Sequence, residues 1–324
     1  MRDQSGGHSM PVRLSSLTWA YVGLVLSMVI WASSFVALKL AFRAYDPMVV
    51  ILGRMVVASA CFAVLMPRFR PAQPFLRKDW RPLLFMAFCE PCLYFSFEAR
   101  ALEFTTASQA GMISAMLPLM VVVGARLVLG ETLTARTLMG FGVAMLGACW
   151  LSVGGEPSAE APRPILGNVL EFMAMICAAG YIISLKWLTA RYSPFFLTAV
   201  QAFVGAFFFF PFLLLPSTAL PDRFDPVAAG AVVYLGAAVT LGAYGLYNYG
   251  VSRIPVSRTS VFFNLIPMLT VLMGAMILGE RFSTVQYLAS GLVLSGIYLS
   301  QREGRRRPDR TLPSGGSAGP LSPP

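Results

Sequence analysis

Charge is what this sequence has least of: only 12% of its 324 residues are Asp, Glu, Lys or Arg, against about 25% in a soluble domain. A water-soluble fold of this length lacks the charge to cover its surface, so composition names lipid as the solvent. Histidine is almost missing. The single His8 lies in a polar N-terminal stretch, which leaves no basis for imidazole-dependent catalysis or metal binding. The five cysteines (Cys61, Cys89, Cys92, Cys149 and Cys177) all fall inside apolar runs, so they form no extracellular disulfide framework. No HExxH or GxSxG motif occurs, and the glycines Gly140, Gly142 and Gly147 follow no strand, which rules out a dinucleotide fingerprint. No catalytic residue, metal site or cofactor is expected, and the chain is not read as an enzyme.

What is present is hydrophobic sequence, 56% of the chain, arranged in runs of about 20 residues, the length a helix needs to cross ~30 Å of hydrocarbon. Ten spans are predicted: 17–40, 47–66, 83–103, 108–129, 134–153, 165–188, 194–215, 228–250, 258–279 and 283–300. The first run is too long for a signal-peptide core and reads as a retained helix. Residues 1–16 form a polar leader. Residues 301–324, rich in Arg, Pro, Gly and Ser, cannot bury a core and are expected to be disordered.

The net charge of +10 does not argue for nucleic acid, because the basic residues edge the apolar runs or crowd the tail (Arg302, Arg305, Arg306, Arg307 and Arg310). That is the pattern of topology signals, with a secondary attraction to anionic lipid. The loop Pro67–Pro82, with Arg68, Arg70, Arg77, Lys78 and Arg81, is the clearest cytoplasmic marker. The opposite side keeps only Lys39, Arg43, Arg100, Arg163, Arg223 and Arg281. Both termini are therefore predicted to face the cytoplasm.

The sequence also repeats itself. A shift of 149 positions carries Ser108 onto Ser257, Pro118 onto Pro267 and Val122 onto Val271. The same shift carries Leu129-Gly130-Glu131 onto Leu278-Gly279-Glu280, and Gly142 and Gly147 onto Gly291 and Gly296. A shift of 147 carries Leu38-Lys39 onto Leu185-Lys186 and Pro47 onto Pro194. Two halves follow, 17–153 and 165–300, joined by a proline-rich linker at 154–164. Each half holds an odd number of spans, so the second must sit upside down relative to the first, a recurring plan among transporters. The expected fold is an all-α integral membrane protein: ten transmembrane helices as two inverted five-helix repeats.

Trp31-Ala-Ser-Ser-Phe followed by Lys39 resembles the opening of an EamA-type half. So do Ala101-Leu102, Thr105-Thr106-Ala107-Ser108, Pro118, Leu129-Gly130-Glu131 and Gly142, with Pro267, Leu278-Gly279-Glu280 and Gly291 repeating the pattern. The chain is thus similar to the EamA family of the drug/metabolite transporter superfamily over residues 17–300. The resemblance implies ten helices, a central cavity and transport of small metabolites, often outward. The third span departs from the family's mostly apolar pattern with Cys89-Glu90-Pro91-Cys92 and Glu98.

Candidate substrate-binding residues are Trp31, Glu90, Tyr94, Ser114, Tyr181, Tyr244, Tyr247, Asn248 and Asn264. Glu90, Tyr94 and Glu98 recur at helical spacing on the third span, and Thr240, Tyr244, Tyr247 and Asn248 line one side of its repeat partner. Intramembrane carboxylates mark functional sites or ion pairs. Arg54 and Glu98 fall at similar depth on antiparallel spans, and Glu171 is placed in the same ion-pair or coupling group. Glu90 has no evident basic partner and is the better candidate for substrate or a proton. Pro118 and Pro267 each remove a helix hydrogen bond, freeing the carbonyls of Ser114 and Phe263 as kinks near mid-membrane. Glu131 and Glu280, at helix ends beside Gly130 and Gly279, read as turn-stabilising residues.

The partners implied are a small-molecule substrate and the bilayer, with proton coupling through a carboxylate as a candidate. Monomer and homodimer both stay open. The function predicted is secondary, ATP-independent export of amino acids or related metabolites by alternating access, in a bacterial inner membrane. The rival is an intramembrane thiol oxidoreductase or metal handler built on Cys89-x-x-Cys92. It lacks the second thiol pair that would pass electrons on.

Overall fold

The computed structural model describes residues 16–65, 77–129, 134–254 and 259–301. Residues 1–15 of the leader, Arg68 and Arg70, Gly130 and Glu131, Ser257 and residues 302–324 of the basic tail lie outside the described residues. Within them the protein is all helix, with one isolated bridge between Ser158 and Ala161.

The first half contains α1 (Ser16–Phe42), α2 (Pro47–Leu65), α3 (Trp80–Ala87), α4 (Tyr94–Phe104), α5 (Ala107–Ser114), α6 (Leu117–Leu129) and α7 (Ala135–Val153). The second contains α8 (Pro164–Leu188), α9 (Pro194–Phe209), α10 (Pro226–Tyr234), α11 (Tyr244–Arg253), α12 (Leu265–Met273) and α13 (Thr284–Gln301). The starts have local causes. Proline opens α8, α9 and α10, where its missing N–H costs nothing. The side chains of Thr106, Thr134, Ser193 and Asp225 accept the N–H three residues on, capping α5, α7, α9 and α10. Ser283 and Gln286 form a reciprocal capping box before α13.

Among the described residues, seven helical stretches are long and apolar enough to cross a membrane: Ser16–Phe42, Pro47–Leu65, Ala107–Val128, Ala135–Val153, Pro164–Leu188, Pro194–Leu214 and Pro226–Arg253; Phe262–Leu278 is a shorter apolar helix. This is a multi-pass membrane protein. Several expected spans are broken rather than continuous. A π-type segment, Phe88–Leu93, separates α3 from α4, and another, Leu235–Ala243, separates α10 from α11. Glu90 has an extended backbone there (φ −149°, ψ 116°), beside Pro91, which has no N–H to continue a helix. The even spacing expected of Glu90 with Tyr94 and Glu98 therefore stops at Glu90. The α5–α6 break falls just before Pro118, and a 3₁₀ turn, Ser260–Asn264, leads into α12 just before Pro267.

The helices pack in pairs: α7 on α13, α2 on α9, α5 on α12, α1 on α11 and α12, and α8 on α4 and α6. The glycines of α7 lie in the first of these. A Cβ on Gly140 would sit 2.6 Å from the Gly296 carbonyl, and one on Gly147 would sit 2.6 Å from the Val293 nitrogen. The two backbones touch and run antiparallel. Gly142 and Gly291 face open space and take no part.

Candidate functional site

The breaks in the spans leave polar groups deep in the bundle, and a cavity of about 40 Å³ opens among them. That is room for about three waters at 10–15 Å³ each. Its walls come from both halves: Trp31, Ser34 and Phe35 of α1, Arg54 of α2, Glu90, Tyr94 and Glu98, Ser114 and Leu117, Met175, Ala178, Tyr181 and Ile182 of α8, Tyr244 of α11, and Phe263 and Ile266.

Arg54 is 1% exposed and is held from three sides. Its Nε donates to Thr240 Oγ1 at 2.8 Å, its guanidinium carbon lies 3.9 Å from the centre of the Phe95 ring, and Nη1 stands 3.9 Å from Glu98 Oε2. At that separation the ion pair is not a hydrogen bond, so Nη1 and Oε2 are left without hydrogen-bond partners among the described residues. The other Glu98 oxygen accepts from Tyr94 Oη at 2.8 Å. Arg100, two positions from Glu98, pairs with Glu103 at 2.8 Å on the exposed side of α4.

Glu90 accepts a hydrogen bond from the Tyr244 hydroxyl, and its carbonyl accepts from Gln201 Nε2 at 3.1 Å. Trp31 is an aromatic hub of the same cavity. Its ring centre is 4.9 Å from Tyr244, 5.0 Å from Tyr247 and 5.6 Å from Phe263. Its Nε1 has no partner among the described residues. Unsatisfied donors and acceptors in so buried a place are costly, and a polar ligand or water would relieve them.

Of the predicted residues, Trp31, Glu90, Tyr94, Ser114, Tyr181 and Tyr244 reach the cavity together with Arg54 and Glu98. Four others, Tyr247, Asn248, Asn264 and Glu171, are not among the lining residues. Tyr247 stands behind Trp31. Asn248 accepts from the Tyr181 hydroxyl at 2.7 Å and donates to Thr198 at 2.8 Å, so it sets a wall residue from behind. Asn264 is one position along from Phe263, which takes the cavity-facing place, and a one-residue step in this 3₁₀ turn rotates a side chain by about 120°. Glu171, fully buried, keeps both oxygens unpartnered among the described residues but lies off the cavity wall.

Pro118 and Pro267 are not wall residues either; they sit at the start of the helical segments whose neighbours, Leu117 and Ile266, are. Sequence reasoning missed Ser34, Met175, Phe263 and Ile266, ordinary side chains that only the packing of the helices identifies. It also missed Thr240 as the anchor of Arg54, although Thr240 had been placed on the polar side of its span.

Cys89 and Cys92 are free, buried thiols within the π-type segment. Among the described residues no group of His, Cys, Asp or Glu is arranged to hold a metal ion.

Comparison with known proteins places this site in a family. The chain is 26% identical over 293 residues to the "Uncharacterized transporter YetK" of Bacillus subtilis (strain 168), covering 90% of this chain and 88% of that one. It is 27% identical over 302 residues to the "Probable terminal-alkyne amino-acid exporter" of Streptantibioticus cattleyicolor, covering 91% and 97%. A solved crystal structure superposes with a TM-score of 0.60 over 87% of this chain and 96% of its own, at 17% identity, a likeness of fold alone. The model of the EamA-like transporter family matches twice, over residues 18–153 and 165–301. With relatives named transporters rather than enzymes, and both matches meeting around one buried polar cavity, this chain belongs to the EamA-like transporter family.

Proposed function

We propose that this protein is a secondary transporter that exports amino acids or related small metabolites, without ATP, by alternating access around the central cavity. The observation that carries the reading is the cavity itself. It is lined by both halves and offers a guanidinium, two carboxylates and an indole N–H beside an aromatic and aliphatic wall. A carboxylate and an ammonium on one small solute would each find a partner of opposite charge there, with Phe35, Phe263 and Ile266 left for an apolar side chain. The relative named as an exporter of an amino acid is in keeping with this.

The architecture proposed is ten spans in two inverted five-helix halves, 17–153 and 165–300, joined by the linker 154–164. The contacts support it. Exchanging the halves turns the α1–α11 contact into α8–α4, α1–α12 into α8–α6 and α5–α12 into the contact of Ser260–Asn264 with α6, while α7–α13 and α2–α9 map onto themselves. The π-type breaks fall at matching places, Phe88–Leu93 and Leu235–Ala243. The Arg54–Thr240 bond is matched by Gln201 to the Glu90 carbonyl, each reaching from the second span of one half to a break in the other.

Both termini are proposed to face the cytoplasm of a bacterium, with the protein in the inner membrane as a monomer or homodimer. Proton coupling is assigned to Glu90, with Arg54, Glu98 and Glu171 as the ion-pair group beside it. The test is counterflow by purified protein in liposomes, against a panel of amino acids and other metabolites. Exchange of one class of zwitterion is expected; correctly inserted protein that exchanges nothing on the panel would overturn the reading.

A further inference from the structure

At one end of the bundle the first turn of α5 is held from another span. Glu280, just past the segment Gly274–Leu278, places one carboxylate oxygen 2.8 Å from the Ala107 nitrogen and the other 2.8 Å from the Ser108 nitrogen. Gly279, with φ of 72°, turns the chain to deliver it, and the Glu280 N–H donates to the Gly274 carbonyl at 3.1 Å. A carboxylate suits the free N–H groups and positive dipole end of a helix start. Yet α5 already has its own cap, Thr106, whose hydroxyl accepts from the Gln109 N–H at 3.1 Å. The contact from Glu280 therefore adds something a local cap does not: it fastens α5 to the span containing α12.

The surroundings draw the same end together. Gly274 leaves just the space that the Ser108 hydroxyl and the Glu280 carboxylate fill, since a Cβ there would lie 2.7 Å from Glu280 Oε2. One turn inward, a Cβ on Gly111 would lie 2.6 Å from Thr270 Cγ2, so α5 and α12 touch directly. The Thr270 hydroxyl donates to the Ala32 carbonyl of α1 at 3.3 Å. Lys39, at the end of α1, donates to the Glu160 carbonyl of the linker at 2.6 Å. The same helices carry the cavity wall, at Ser114 and Ile266. Ser108 is about 9 Å from Ser114 along the helix, at ~1.5 Å per residue. The seal thus stands between the cavity and this end of the bundle.

We propose that Glu280 is the latch of a gate. With its carboxylate on α5 the cavity is shut at this end, and solute passes only when the carboxylate lets go and α5 parts from α12. A latch of this kind works at a helix end and not at mid-membrane. Once broken, the carboxylate and the two N–H groups find water there, so opening leaves no buried polar group stranded. The inference rests on the transporter reading above, which makes this the outer end.

The test is side-selective labelling. A Ser34→Cys reporter on the cavity wall, in protein whose five native cysteines are replaced, is exposed to a membrane-impermeant methanethiosulfonate in right-side-out and inside-out vesicles. Glu280→Ala is expected to raise the labelling rate from the face of the latch about tenfold or more. Normal insertion with unchanged labelling from both faces would overturn the latch. Should Glu280→Ala fail to insert, Ser108→Cys with Gly274→Cys in the same background reverses the logic. Oxidation should lock the gate and stop solute exchange, and reduction should restore it. Undiminished exchange by fully oxidised protein would overturn the proposal. Labelling needs no known substrate, so a silent counterflow assay leaves this arm standing. A rise seen from the cytoplasmic face would support the latch and overturn only the orientation.

Discussion

Arg54 and Glu98 show how much a buried pair depends on what else touches it. The guanidinium is anchored by Thr240 and stacked on Phe95, and the carboxylate by Tyr94, so the two charges face each other at 3.9 Å without closing. Removing one member of such a pair costs about 3–5 kcal/mol, because the other charge is left uncompensated, and removing both costs less. Glu98→Gln should therefore lower the yield of folded protein, and Arg54→Met added to it should recover part of the loss, read by size-exclusion yield in detergent. A double variant no better than the single would refute the coupling. Glu90 has a phenol as side-chain partner and no ion pair among the described residues. Glu90→Gln keeps that acceptor, so folding should hold while transport, or its pH dependence across about pH 5 to 8, is lost. Normal transport over that range would remove Glu90 from the site. The carboxylates were legible because a charge in an apolar run is conspicuous. Phe263, Ile266 and Met175 were not, since nothing separates an apolar residue facing a cavity from one facing lipid until the helices are packed.

At the scale of the element, periodicity located the helices but not their interruptions. Pro91 explains the break near Glu90, whereas Leu235–Ala243 contains no proline and carries no comparable sign. The thiols of the first break are packed in place, with Cys89 close against Gly180, and lack a second thiol pair. Cys89→Ser with Cys92→Ser should leave solute counterflow largely intact; its complete loss in normally inserted protein would revive the redox alternative. The α7–α13 joint separates glycines that matter from those that do not. Gly147→Leu forces two touching backbones apart and should cost about 1–3 kcal/mol or more, seen as a lower thermal midpoint. Gly142→Leu points into open space and should cost little. Equal effects of the two would mean that the joint is not what holds these helices. Glu280 marks the limit of local reading. It was expected to stabilise its own turn, and Gly279 does take the left-handed cap, but the carboxylate bonds a helix more than 170 positions earlier in the chain.

For the molecule as a whole, repetition was the most legible feature, because Ser, Pro, Leu-Gly-Glu and Gly recur in order and the family model matches once per half. Membrane orientation rests on basic residues, several of them outside the described segments. Cysteine-accessibility labelling should place 154–164 outside and 77–81 inside; both on one side would undo the inverted arrangement. The α7–α13 joint carries one more consequence. Gly140 meets Gly296, the repeat mate of Gly147, while Gly147 meets Ala289, the repeat mate of Gly140. Each half thus presents the same patch to the other, an isologous contact of the kind that joins identical subunits. A bulky side chain placed at Gly147 or at its repeat mate Gly296 would therefore wedge the same pair of helices from either side.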